Sequence, residues 1–156
     1  MRSLGGAIDA QTFAGCEWVR VARIGSPVSL GAGGAFVGIL LPTLQASSAK
    51  LSALSADANS PLVADNAPGL YLVTLALTWG GILGGRRLIR LMSINVEVER
   101  NEVGPPPGGT TFTQSVTWLH YQGGPGGRLQ PQAFTDISGA SITEAKMTVA
   151  RLASSS

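Results

Sequence analysis

The segment GLYLVTLALTW, residues 69–79, constrains the fold more than any other part of the chain. Successive side chains of a strand point to opposite faces, so this segment has one bulky apolar face and one smaller uncharged face. The bulky face is Tyr71, Val73, Leu75, Leu77 and Trp79. The smaller face is Leu70, Leu72, Thr74, Ala76 and Thr78. A strand covered on one side only normally alternates apolar with polar residues, so the smaller face must also be covered.

Clusters of glycine and proline divide the rest of the chain into short runs rich in Val, Ile, Leu and Thr. This spacing predicts an all-β sandwich or barrel with little helix. The predicted strands are 17–24, 27–30, 35–41, 70–79, 87–93, 96–102, 111–121, 132–136 and 145–152. Residues 44–56 have helical spacing, with Leu44, Leu51 and Leu54 as possible anchors, but they are few and rich in serine. We interpret them as a long connecting loop with a helical turn, and a helix is the alternative. Because the chain has so little helix, a subunit interface is the preferred cover for the smaller face of 70–79.

The segment NVEVERNEV, which begins at Asn95, has a different pattern. Val96 and Val98 are expected on one face, and Glu97 and Glu99 on the other. This alternation predicts an outer-sheet strand with one face in water. One doubly covered sheet and one solvated sheet are typical of an oligomer of sandwiches.

Composition excludes several classes of function. Only 13% of the residues are charged and 44% are apolar, which favours a surface covered by copies or partners. No segment has the roughly 18 apolar residues of a membrane-spanning helix, so we expect no membrane insertion. The net charge is +2 and the basic residues are scattered, which argues against nucleic-acid binding. The single cysteine, Cys16, and the absence of an apolar leader favour synthesis in a reducing cytoplasm.

No catalytic or cofactor motif is present, and we expect neither an enzyme nor a cofactor. His120 is the only histidine, and we interpret it as a structural or surface residue at a strand end. No bound metal is expected, because Asp57, Asp65 and Asp136 are dispersed. The glycine clusters match no nucleotide-binding motif. We interpret the larger aromatic residues as part of the core or of an interface, and sugar binding is the less favoured alternative. These residues are Trp18, Trp79, Trp118, Tyr71 and Tyr121.

Three regions are predicted along the chain. Residues 1–16 form an N-terminal arm, residues 17–152 form the sandwich domain, and residues 153–156 form a tail. The arm has isolated apolar residues, and we expect these to dock on another chain. They are Leu4, Ile8 and Phe13.

The order of several blocks resembles the tumour-necrosis-factor-like jelly roll, which is also the fold of complement globular heads. The blocks are VRVARIGSPVSLGAGGAFVGI, ADNAPGLYLVTLALTW, GGRRLIRLMSINVEVE, GTTFTQSVTWLHYQGGPGGRLQPQAF and EAKMTVARL. The form carried on bacteriophage particles is the more similar one, because it also follows the Trp-ending strand with an Arg-rich strand. The chain departs from the family at SIN, residues 93–95, where an Asn-Gly hairpin is usual, and at QGGPGGR, where an acidic turn is usual. The register near residues 93–96 is therefore open.

The resemblance implies an antiparallel jelly-roll sandwich that forms a tight homotrimer, with Leu70, Leu72, Thr74, Ala76 and Thr78 at the contact. It implies a structural protein on the surface of a phage capsid or tail, attached to other virion proteins such as the major capsid or tail protein. The alternative is a trimeric receptor-binding module that recognises a host-surface glycan through loops 105–111 and 123–128. An enzyme acting on the cell wall is disfavoured, and would have to use His120.

Overall fold

The computed structural model describes residues 17–31, 34–47, 69–81, 85–93, 96–103, 111–122 and 129–154. These ranges contain only strands, turns and irregular segments, and no helix that could cross a membrane. The strands are β1 (Glu17–Leu30), β2 (Val37–Gly38), β3 (Thr43–Ser47), β4 (Gly69–Gly81), β5 (Arg87–Ser93), β6 (Val96–Val103), β7 (Thr111–Gln122), β8 (Leu129–Thr135) and β9 (Ala140–Ser154). The all-β prediction is confirmed. The predicted arm, with Leu4, Ile8 and Phe13, lies outside the described residues.

The strands form two antiparallel sheets. The five-stranded sheet has the order β3-β1-β9-β4-β7, and the four-stranded sheet has the order β2-β8-β5-β6. Most neighbouring strands are distant in sequence, as in a jelly roll, where crossing connections link two sheets. β4 lies between β9 and β7, so its backbone is paired on both sides.

The core lies between the two sheets. The bulky face of β4 is fully buried: Tyr71, Val73, Leu75, Leu77 and Trp79 are all 0% exposed. The four-stranded sheet contributes Ile89 and Leu91 from the opposite side. Burying a large apolar side chain stabilises the fold by about 1.5–3 kcal/mol, so these positions explain which way β4 faces. The inward face predicted from the sequence is confirmed.

Several strand boundaries differ from the sequence predictions: β2 covers only Val37–Gly38 of the predicted 35–41, and β8 and β9 begin earlier than predicted, at Leu129 and Ala140. β1 continues through residues 17–30 as one strand. The predicted turn at Gly-Ser-Pro is instead a register shift against β9 between Ile24 and Val28. Residues 44–47 belong to β3, so their interpretation as loop is wrong. The helical spacing there is overridden by pairing with β1, where Val19 faces Ser47 and Val21 faces Leu44. Residues 48–56 lie outside the described part of the chain.

The alternation predicted for β6 is also wrong. A register shift opposite Leu91 and Met92 places Glu97 beside Met92 and Glu99 beside Leu91. Because Leu91 is in the core and Met92 is half-buried on the other side, the two glutamates face opposite sides of the sheet. Val98 packs against the core, whereas Val96 is 65% exposed. β6 is one of the two edge strands of the four-stranded sheet.

Candidate functional site

The outward face of the five-stranded sheet, the side away from the core, is assembled from alternate residues of four strands. The registers align these residues in rows that run from β1 through β9 and β4 to β7. The first row is Trp18, Ala150, Leu72 and Leu119. The second is Arg20, Thr148, Thr74 and Thr117. The third is Ala22, Lys146, Ala76 and Ser115, and the fourth is Ile24, Glu144, Thr78 and Thr113.

One end of this face is apolar. Leu72 pairs with Leu119, and Leu70 pairs with Tyr121 on the far side of that row. Leu119 is 58% exposed and Tyr121 is 64% exposed, while Leu70 and Leu72 are half-buried. We call these four residues, with Trp18 and Ala150, the apolar end. A contiguous apolar group that faces water marks an interaction surface, whereas single exposed apolar residues do not.

The other end of the face is polar. Thr74 and Thr117 hydroxyls lie 3.4 Å apart, and those of Thr78 and Thr113 lie 3.1 Å apart. On β9, the Lys146 ammonium forms an ion pair with the Glu144 carboxylate at 2.5 Å. β4 itself carries no charge on this face, as its sequence shows, but its neighbour β9 supplies this charged pair. The face is thus an apolar end joined to a ladder of hydroxyls, and Arg20 of β1 donates a hydrogen bond to the Thr148 hydroxyl of that ladder at 3.3 Å.

All five residues predicted for the trimer contact lie together on this outward face. Leu70, Leu72, Thr74, Ala76 and Thr78 are each half-buried in the single chain, in alternation with the fully buried residues of β4. The structure therefore brings them to one surface. Their role in a contact between chains stays a prediction.

Sequence reasoning assigned only Leu70 and Leu72 of the apolar end to the contact; it named Trp18 and Tyr121 only among aromatics expected in the core or an interface, and it missed Leu119 and Ala150. A signal that places Leu119 and Tyr121 together exists in TFTQSVTWLHYQ: the outward positions of β7 are Thr or Ser up to Thr117 and then become Leu and Tyr. The register with β4 was needed to show that this change lies beside Leu70 and Leu72. The larger aromatics divide between both faces, since Trp79, Tyr71 and Trp118 are buried and Tyr121 is exposed.

His120 lies on the inward side of β7, near its end, and is 8% exposed. Its Nε2 atom is buried and has no hydrogen-bond partner among the described residues. Burial lowers the pKa of the imidazole, while the Glu99 carboxylate acts in the opposite direction. A neutral imidazole is therefore favoured in the folded chain.

Charged groups on the outward surface of the four-stranded sheet are paired with one another. Glu97 accepts hydrogen bonds from Arg90 at 3.1 Å and from Arg100 at 2.8 Å. The Arg90 guanidinium also lies 3.7 Å from the centre of the Phe36 ring. Asp136 accepts a hydrogen bond from the Arg86 backbone N–H at 2.8 Å, which lowers the pKa of its carboxyl. Within the described ranges, no three His, Cys, Asp or Glu side chains are grouped as metal ligands would be.

No protein-family model and no curated protein sequence matches the chain, but solved structures do. The PRD1 vertex protein P5 has a TM-score of 0.63 and 18% identity, over 88% of this chain and 97% of that chain. The globular domain of the zebrafish complement 1qA protein has a TM-score of 0.62 and 10% identity, over 89% and 99%. The TNF Eiger from S. frugiperda has a TM-score of 0.55 and 8% identity, over 90% and 96%. The chain therefore has the TNF-like jelly-roll fold that the sequence blocks resemble, a fold also found in a phage vertex protein.

Proposed function

We propose that the chain is a structural protein of a bacteriophage particle and acts by assembling as a homotrimer through the outward face of its five-stranded sheet. The observation that carries this proposal is the apolar end. In a single chain, Leu119 and Tyr121 are more than half exposed beside Leu72 and Leu70. Covering such side chains is favourable by about 25 cal/mol for each Å² of apolar surface removed from water.

Copies of the same chain suit this face better than a charged partner does. The threonine hydroxyls can both donate and accept hydrogen bonds, so they can pair with an identical set. Lys146 and Glu144 neutralise each other within one chain, and Arg20 is hydrogen-bonded to the Thr148 hydroxyl. Three copies around an axis bury the same patch of every chain in a closed ring. The number three comes from the resemblance to TNF-like jelly rolls.

Placement on a virion is supported by the likeness to a phage vertex protein. We propose that the trimer lies on the capsid or tail surface and contacts other virion proteins there. Leu4, Ile8 and Phe13 of the N-terminal arm are proposed to dock on a neighbouring chain. An antibody raised against the chain should label particles of a phage that encodes it, and particles without label would contradict this part of the proposal.

The trimer contact is tested with a pair of matched variants. Leu119→Asp places a charge at the apolar end, whereas Val96→Asp places one at an equally exposed valine on the other sheet. Both side chains are mostly exposed in the single chain, so neither change should unfold it. Light scattering should give three times 16.0 kDa for the wild type and for Val96→Asp, and 16.0 kDa for Leu119→Asp.

Leu72→Asp and Ala76→Arg change predicted contact residues on β4 and should give monomeric or insoluble protein. A monomeric wild type at micromolar concentration would overturn the proposal. Trimers of Leu119→Asp that are as stable as the wild type would show that another surface makes the contact.

A further inference from the structure

His120 lies directly between the two most exposed residues of the apolar end. Leu119 and Tyr121 point outward from β7, whereas the side chain of His120 points inward. Across the ladder, His120 pairs with Tyr71 of β4, which is 0% exposed. Among the described strands, β7 is an edge strand of the five-stranded sheet and pairs with β4 alone. Any movement of His120 out of the core therefore moves the part of β7 that presents Leu119 and Tyr121.

The surroundings of His120 contain few groups that could stabilise a protonated imidazole. Its Nε2 is buried without a hydrogen-bond partner among the described residues. Of the titratable and charged groups on the described strands packed around it, β4 supplies the Tyr71 phenol and β6 supplies the Glu99 carboxylate. Arg151 of β9 pairs with Tyr71 on the other side of β4 from His120. Glu99 alone favours protonation, and the net effect of the site is against it.

We infer that His120 makes self-association acid-sensitive: neutral His120 holds the end of β7 in place for the contact, and protonated His120 releases it. This inference rests on the proposed trimer. An imidazolium needs water or hydrogen-bond acceptors, and it obtains them when residues 119–122 separate from β4. That separation withdraws Leu119 and Tyr121 from the surface that the other copies would cover.

The coupling between proton uptake by His120 and association of the chains has a definite sign and a definite pH dependence. Trimer contacts hold the end of β7 closed, so the trimer binds fewer protons than free chains whose strand ends can open. Association therefore weakens as pH falls through the ordinary histidine range, about pH 6.5. Each chain has one histidine, so a trimer takes up at most three protons on dissociation. The association constant should then fall by up to about a thousandfold for each pH unit.

The experiment is light scattering of the full chain from about pH 7.5 to about pH 5, a range in which histidine is the main side chain that titrates. The wild type should fall from three times 16.0 kDa toward 16.0 kDa. His120→Gln keeps a polar side chain that cannot become charged, and its mass should not change over this range. Glu99→Gln removes the one group that stabilises the imidazolium inside the closed site, so protonation should oppose the trimer more strongly and the transition should shift to higher pH.

A wild-type trimer that is unchanged at about pH 5 would overturn the inference while leaving the trimer itself intact. The same holds if His120→Gln dissociates at the same pH as the wild type. If His120→Gln does not fold, Glu99→Gln decides: a transition shifted to higher pH supports the inference, and a transition that is unshifted or shifted to lower pH overturns it. A wild type that is already monomeric at about pH 7.5 overturns the proposed function, and the inference with it.

Discussion

Trp79 and Gln114 are joined inside the sandwich by a hydrogen bond of 3.1 Å, in which the indole Nε1–H donates to the amide oxygen. Gln114 is 3% exposed, and its amide nitrogen donates to Asn101 Oδ1 at 2.7 Å. Gln114 belongs to β7 and Asn101 to β6, the edge strands of the two sheets. The Gln114 amide therefore provides the acceptor for a buried indole N–H and links β7 of one sheet to β6 of the other.

Gln114→Leu should destabilise the chain by about 2–3 kcal/mol, because it leaves the buried indole N–H without an acceptor. Urea denaturation at a fixed protein concentration measures the loss. Trp79→Phe provides the control, since it removes the donor. In a double-mutant cycle, Gln114→Leu should cost about 1 kcal/mol less in the Trp79→Phe background. Equal costs in both backgrounds would show that the hydrogen bond contributes nothing.

Gly81 and Gly25 share a backbone conformation that favours glycine, with φ of 79° and 76°, but differ in the space around them. A Cβ on Gly81 would meet the backbone carbonyl oxygen of Gly139, whereas a Cβ on Gly25 would meet nothing within 4 Å. Gly25→Ala should therefore cost about 1–2 kcal/mol from backbone strain alone. Gly81→Ala should cost at least about 2 kcal/mol more, because backbone must shift as well. Similar denaturation midpoints for the two variants would contradict the close approach of Gly81 to Gly139.

The sequence was sufficient to predict the orientation of β4, because its two faces differ in bulk along the whole strand. Periodicity assumes an unbroken alternation, and it failed where a bulge breaks the ladder. At β6 the bulge turns Glu97 outward to the two arginines and Glu99 toward the side of Leu91. No local pattern encodes that irregularity, since it depends on how β5 and β6 are aligned.

Residues 44–47 and Arg87 show a second limit of the sequence. The strand β3 exists because β1 offers it a free edge, which is a property of a distant segment. Arg87 is 0% exposed and lies 5.5 Å from the Trp79 ring, although a charged residue in an Arg-Arg pair is expected in water. Within the apolar end, Leu70 and Leu72 were predictable from the difference in bulk between the two faces of β4. Leu119 and Tyr121 required the β4–β7 register.

Phe36 should stabilise the four-stranded sheet beyond its apolar area. Its ring lies 3.7 Å from the Arg90 guanidinium and 5.5 Å from that of Arg100, and it packs against Phe134 at 5.3 Å. Phe36→Leu keeps most of the apolar area but removes the ring face, so it should lose about 0.5–1 kcal/mol of cation–π attraction. Phe134→Leu is the comparison, because it removes the other ring of the pair and leaves Phe36 beneath the guanidiniums. If both variants lose the same stability in urea, the arginines contribute only packing.

Glu97 should make stability fall in acid. Hydrogen bonds from Arg100, and then from Arg90, lower the pKa of the Glu97 carboxyl below its ordinary value. The unfolded chain therefore takes up a proton at higher pH than the folded chain does. The contribution of Glu97 is fully present above the ordinary glutamate pKa of about 4.3, and it is lost as pH falls through the lower folded value.

Because the group is partly solvated, the contribution should stay below about 1 kcal/mol. The difference between the urea midpoints at about pH 6 and about pH 3 should therefore be smaller for Glu97→Gln than for the wild type. Asp136→Asn is a useful comparison, since the pKa of Asp136 is also lowered, by the Arg86 backbone N–H. Each variant should remove only its own part of the acid sensitivity. A Glu97 carboxyl that titrates in NMR at or above the ordinary glutamate pKa would show that the two arginines do not hold it in solution.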